Sequence, residues 1–178
     1  MNETPTFTIR LLPWIRRAGV AGLALAACLA VSCRGKAPYE GKSVAALEQM
    51  VRSSDPTTQV QGAYGLGLKG AEARPAVPSL IELLHSPNAL VRQNAALALG
   101  KIGPAASEAV PDLAATLGDE DWTVRRQAAL ALGEIGPEAR PAVDRLQKLR
   151  GDRQVYVRRA AEEALARIVP SASPPGEK

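Results

Sequence analysis

The sequence predicts an all-α fold, an α-solenoid (superhelix) of stacked antiparallel helix pairs, and three observations predict it. The first is self-similarity at a spacing of 33 residues: segments 59–80, 92–113 and 125–146 fall into register without a gap. The second is helical apolar period within each unit. Val91, Ala95, Ala98, Leu99 and Ile102 recur at i, i+4, i+7, i+8 and i+11 and draw one stripe, and Val110, Leu113 and Leu117 draw a shorter one. The third is the break between the two stripes, Gly103-Pro104 in one unit and Gly136-Pro137 in the next, where one helix must end before another begins.

Residues 1–33 are expected to be an export signal. Arg10, Arg16 and Arg17 face the single acid Glu3 and precede an uncharged run from Ala18 to Ser32. As a helix that run would span about 22 Å, short of a hydrocarbon core of roughly 30 Å, so a permanent transmembrane anchor is the weaker reading. Both cysteines of the chain, Cys28 and Cys33, fall here and none follows. The stretch Leu29 to Cys33 resembles a bacterial lipobox, in which small residues precede a cysteine that becomes lipidated. Leu25 to Cys28 resembles it too. Cys33 is preferred, with Cys28 the alternative, because the chain turns polar only after it, at Arg34, Gly35 and Lys36.

Residues 34–42 are expected to link this segment to the repeat domain, residues 43–169. The domain opens on a half-unit, since Val44, Leu47 and Met50 stand 33 before Val77, Leu80 and Leu83. Three full units follow, sharing Leu66, Leu99 and Leu132, then Gly67, Gly100 and Gly133, then Gly70, Gly103 and Gly136. Neither helix of a unit could bury its stripe alone, and alanines at 95, 96, 98, 128, 129 and 131 would let neighbours approach closely, so the pairs should stack. Unit one departs from the pattern, with Gly62 and Gly65 in place of alanines, and its first helix is expected to be the weakest, at roughly 1 kcal/mol per glycine. Residues 155–169 form a half-unit cap, where Glu162 and Glu163 replace Ala129 and Leu130 of unit three. Residues 170–178, rich in Pro and Ser, are expected to be a disordered tail.

Charge and composition narrow the function. Removing the signal's three arginines and one acid leaves 19 Lys/Arg against 17 Asp/Glu, a net charge of +2. A nucleic-acid partner is not expected from so small a basic excess. After residue 33 the aromatics are Tyr39, Tyr64, Trp122 and Tyr156, a poor supply of stacking platforms. With no cysteine beyond residue 33, the mature domain has neither a disulfide framework nor a thiolate metal site.

Chemistry-bearing motifs are few. Residues 65–70, GLGLKG, match the dinucleotide-binding glycine pattern, but no strand precedes them and two of the glycines are repeat positions. His85, the single histidine, falls at a predicted helix end, where an imidazole either favours the last carbonyls or is simply exposed. No nucleophile or carboxylate stands at recognisable spacing from it, so no catalytic residues, metal, cofactor or small-molecule substrate are expected and the chain reads as a non-enzyme. Arg92, Arg125 and Arg158 repeat at 33 and would form a row down the stack, either a structural ladder or a ligand site, with Asp55, Asp119, Asp121 and Asp152 as available partners. Asp119 and Asp121 also stand where a following helix wants an N-cap. On the second helices Ser79, Glu82, Asp112, Ala115, Arg145 and Lys148 face away from the apolar stripes and change from acidic to basic along the stack. They are candidate partner-binding residues. Trp122 is another, with packing between units the alternative.

The strings VRQNAALALGKIGP (91–104) and VRRQAALALGEIGP (124–137) resemble bacterial HEAT-like repeats of the phycobilin-lyase type, and the resemblance runs from Ser43 to Val169. It implies a stack whose concave face, lined by the second helices, binds partners, and an arginine row bonded to acids and carbonyls at neighbouring turns. Fold alone does not choose a function. Combined with the signal, it implies a scaffold of the bacterial cell envelope, lipid-anchored to a membrane on its periplasmic or outer side and binding a protein or peptide. A chromophore lyase or lyase helper is the alternative, against which export and the lack of a mature cysteine both count.

Overall fold

A computed structural model of the chain describes residues 36–170; the expected signal with Cys28 and Cys33, and residues 171–178 of the expected tail, lie outside the described residues. Eight α-helices follow one another among the described residues: α1 (Val44–Val51), α2 (Pro56–Lys69), α3 (Val77–Leu83), α4 (Ala89–Ile102), α5 (Val110–Thr116), α6 (Trp122–Ile135), α7 (Val143–Leu149) and α8 (Val155–Ile168). The even-numbered helices have 14 residues each and span about 21 Å. After α1, the odd-numbered ones have seven.

Local chemistry fixes where each long helix starts and stops. Asp55, Asn88 and Asp121 hold extended backbone and accept hydrogen bonds from the first free N–H groups of α2, α4 and α6, while Pro56 pre-sets the backbone of α2. Gly70, Gly103 and Gly136 end these helices at φ values of +55°, +69° and +82°, in the left-handed region that a side chain disfavours. The chain does not turn on the Gly-Pro pair alone. Each glycine opens a seven-residue 3₁₀ segment, Gly70–Ala76, Gly103–Ala109 and Gly136–Ala142, before the short helix begins. Ala73, Ala76, Ala106, Ala109, Ala139 and Ala142 are fully buried in these connectors, which explains why small residues recur there.

One continuous apolar interior runs through the stack. Leu66, Leu99 and Leu132 are each completely buried in it, as are Leu80, Leu113 and Leu146 of the short helices. The long helices lie nearly backbone to backbone. A Cβ on Gly133 would come within 2.9 Å of the Ala164 Cα, and one on Gly100 within 2.9 Å of the Ala131 Cα.

The half-units at the ends pack closely on the stack. Within the expected linker, Ala37 to Glu40 close a turn, and Tyr39 packs on the core and edge-to-face on Tyr64, centroids 5.1 Å apart. The glycines of unit one make room for that half-unit. A Cβ on Gly62 would meet the Val51 N at 2.8 Å, and one on Gly65 would meet the Tyr39 Cβ at 2.8 Å and a Leu47 methyl at 2.5 Å. They are the seats of α1 and Tyr39, both sites are buried, and the helix-propensity cost is set against that close approach. At the other end α8 closes the stack, and Glu162 is exposed where its counterpart Ala129 is fully buried.

Candidate functional site

The arginine row is a ladder with unequal rungs. Arg92 donates from Nε to Asp119 Oδ2 (2.7 Å) and from Nη2 to Asp119 Oδ1 (2.8 Å), while its Nη1 reaches the carbonyl oxygens of Ser86 and Pro87 (2.9 and 3.3 Å). Arg125 repeats this on Asp152 (2.8 and 3.1 Å) and on the carbonyls of Asp119 and Glu120 (2.8 and 3.0 Å). Arg158 makes the carbonyl contacts, to Asp152 (2.8 Å) and Arg153 (3.2 Å), and pairs with no described carboxylate. In unit one Gln59 and Ser86 occupy the places of Arg and Asp, and the Gln59 amide keeps only the carbonyl arm, to Ser53 (2.8 Å). Asp55 and Asp121, also expected as partners, are N-caps instead.

The electrostatics follow the geometry. The bond to Asp119 raises the Arg92 pKa further, against the opposing effect of burial. The Thr123 hydroxyl and backbone N–H hold the Asp121 carboxyl below its usual 3.8. At Asp152 burial pushes the carboxyl up, but the bonds from Arg125 and the Gln154 N–H, with the charges of Arg125 and Arg158, outweigh it and leave the group lowered.

The second-helix residues do not form one open surface. Ser79 is 2% exposed: its hydroxyl donates to Glu48 Oε1 (2.8 Å) and accepts from Arg52 Nη2 (3.1 Å), so it ties α1 to α3 and is withdrawn from any partner. Ser79 is withdrawn because the face that looks outward within α3 is covered by Arg52, the residue that ends α1. Asp112 is half-buried and meets His85 Nε2 at 3.2 Å, a contact from one short helix's end to the next short helix in place of a cap. Glu82, Ala115, Arg145 and Lys148 are exposed. The last three line a hollow of about 310 Å³ between α5 and α7.

A second surface comes from the long helices. Their outward positions stand in columns at the repeat spacing: Thr57, Leu90, Thr123 and Tyr156; Tyr64, Leu97, Leu130 and Glu163; Leu68, Lys101, Glu134 and Arg167. Leu68 and Leu90 are each 56% exposed, Tyr156 55% and Tyr64 36%. Trp122, at 38%, leans on Tyr156 across the unit boundary with centroids 6.0 Å apart, the packing contact between units that was its alternative reading. Next to them Arg126, Leu130, Tyr156, Arg159 and Glu163 surround a hollow of about 250 Å³. Sequence reasoning passed over these residues except Trp122, although the 33-residue register applied to the outward positions would have aligned them.

A family model described as HEAT repeats matches residues 43–107 and 77–166. The chain belongs to the HEAT-repeat family. Among solved structures, the repeats are similar to two engineered proteins from a structural genomics consortium, at 28% and 26% identity with TM-scores of 0.64 and 0.62, covering 71% of this chain and 62% and 64% of theirs. They are also similar to human deoxyhypusine hydroxylase in complex with glycerol, at 34% identity and a TM-score of 0.57, over 72% of this chain and 44% of that one. The HEAT-repeat chain thus spans less than two thirds of the length of these structures. No curated protein matches it. Among the described residues no group of three His, Cys, Asp or Glu could hold a metal ion, and no helix is long and apolar enough to cross a membrane.

Proposed function

We propose that this HEAT-repeat chain is a scaffold of the bacterial cell envelope, tethered by lipid on Cys33 and binding a protein or peptide across the outward face of its long helices. The observation that carries the binding reading is where exposed apolar side chains lie. Tyr64, Leu68, Leu90, Trp122, Val155 and Tyr156 all belong to long helices, and Arg126 and Arg159 stand among them. Aromatic residues with arginine nearby are the usual anchors of protein interfaces. This moves the expected surface from the short helices to the long ones. Lipid attachment is supported by the lipobox-like residues 29–33 and by the confinement of both cysteines to that region. More than one acyl chain would be needed to hold a membrane firmly. The phycobilin-lyase likeness of residues 91–104 and 124–137 supports a bacterial origin, and a lyase activity gains no observation of its own.

The test compares capture of envelope proteins by the full chain and by variants. A partner retained by the wild type and by Lys148→Ala, but lost with Tyr156→Ala and Arg126→Glu, supports the long-helix face; the reverse pattern returns the site to the short helices. Cys33→Ser should move the protein out of the membrane fraction, and persistence there refutes the anchor.

A further inference from the structure

We propose that the outward face of α2 and α4 lies on the lipid surface of the membrane that holds the chain, leaving α6 and α8 to the protein partner. This rests on the Cys33 anchor proposed above, and it divides the long-helix face between two uses.

A tether at Cys33 fixes which end of the stack meets lipid. Tyr39 lies six residues after Cys33, a span of at most about 22 Å when fully extended. Tyr39 packs edge-to-face on Tyr64 of α2, so this helix stays close to an anchored Cys33. Three packed helix steps of about 8–10 Å each carry Tyr156 on α8 roughly 24–30 Å further along the stack. A folded protein seated on α2 would have to share the tether's short reach with the bilayer.

The residues change along the same direction. Neither α2 nor α4 contains an Asp or Glu, whereas α6 carries Glu134 and α8 carries Glu162 and Glu163. In the three outward columns the first two units present Thr57, Tyr64, Leu68, Leu90, Leu97 and Lys101, with one charge. The last two units present three charges in the same columns, Glu134, Glu163 and Arg167. Tyr64 and Leu68 stand seven and eleven residues after Thr57, so they fall within about 20° of it around the helix. Leu68 and Leu90 are exposed at opposite ends of this face, with Tyr64 between them.

Tyrosine and leucine free of carboxylates suit the headgroup boundary. Methyl groups and ring enter it, the phenol stays wet, and no anion opposes the lipid phosphates. Lys69 and Lys101, in the last turns of α2 and α4, have the length to reach those phosphates. Glu40, the acid nearest the tether in sequence, accepts the Ala37 N–H at 3.1 Å within its own turn.

The test supplies the tether chemically. In the full chain, Cys28→Ser leaves Cys33 as the sole cysteine and Trp14→Phe leaves Trp122 as the sole tryptophan. This chain is coupled through Cys33 to phosphatidylcholine vesicles bearing a maleimide headgroup and brominated acyl chains. A reporter chain adds Leu90→Trp and Trp122→Phe. Its fluorescence should be quenched by the bromine, whereas Trp122 in the first chain should stay bright. Adding Leu68→Glu, at an exposed site, should restore the reporter's emission and leave the melting temperature unchanged. Equal quenching at positions 90 and 122, or quenching at 90 that survives Leu68→Glu, would overturn the proposal. So would a reporter that stays bright on the coupled vesicles, which returns this end of the face to a protein. Chemical coupling separates these outcomes from acylation in the cell, which the fractionation of Cys33→Ser decides.

Discussion

Arg92 and Asp119, 27 residues apart, meet edge to edge with two hydrogen bonds of 2.7 and 2.8 Å, and their side chains are only 9% and 10% exposed. Each is therefore largely desolvated and depends on the other. Arg92→Ala should cost about 3–5 kcal/mol by stranding the Asp119 carboxylate. The double variant with Asp119→Ala should cost less than the sum of the two singles, as urea unfolding would read out. Additive losses would mean that the pair is not coupled.

Leu132 is fully buried at the centre of the stack. Leu132→Ala should lower stability by about 2–5 kcal/mol, measured by the same unfolding curves. A change near zero would contradict the continuous interior.

Gly133 tests the spacing of the long helices. Its alanine variant forces a Cβ to within 2.9 Å of a neighbouring backbone Cα, which overpacking data place at about 1–3 kcal/mol of destabilisation, although alanine is the better helix former. Gly118→Ala meets only a carbonyl at 3.5 Å and is the matched control, expected to change the melting temperature little.

Acid should weaken the protein through its aspartates. Asp121, held down by the Thr123 hydroxyl and N–H, and Asp152, held down by Arg125 despite its burial, have folded pKa values below the ordinary 3.8. A carboxylate of lowered pKa contributes stability that is complete above its unfolded value and is lost as pH falls through the folded one. Unfolding midpoints should be level from pH 7 to about 5 and fall below about 4. Asp121→Asn should flatten the fall, and an unchanged slope would assign it to other groups.

Much of this was legible from spacing alone. A gapless register of 33 fixes which residues are equivalent, and equivalence carried the buried leucines, the connectors' position and the existence of an arginine row. What it could not carry was contact between units. Asp119 and Asp121 look alike as acids before a helix; only their placement shows that one answers Arg92 and the other caps α6. Ser79 faces outward on its own helix and is covered by Arg52 from another. Gly62 and Gly65 look like flaws in a helix until α1 and Tyr39 are seen resting on them.

Each rung of the ladder joins one unit to the next and none skips a neighbour. Under tension along its axis the molecule should therefore behave as a coil that lengthens link by link rather than snapping at once. Gln59 makes no bond to Ser86, so the first boundary has no such link and should give way first, leaving the two ion-paired links to bear the remaining load.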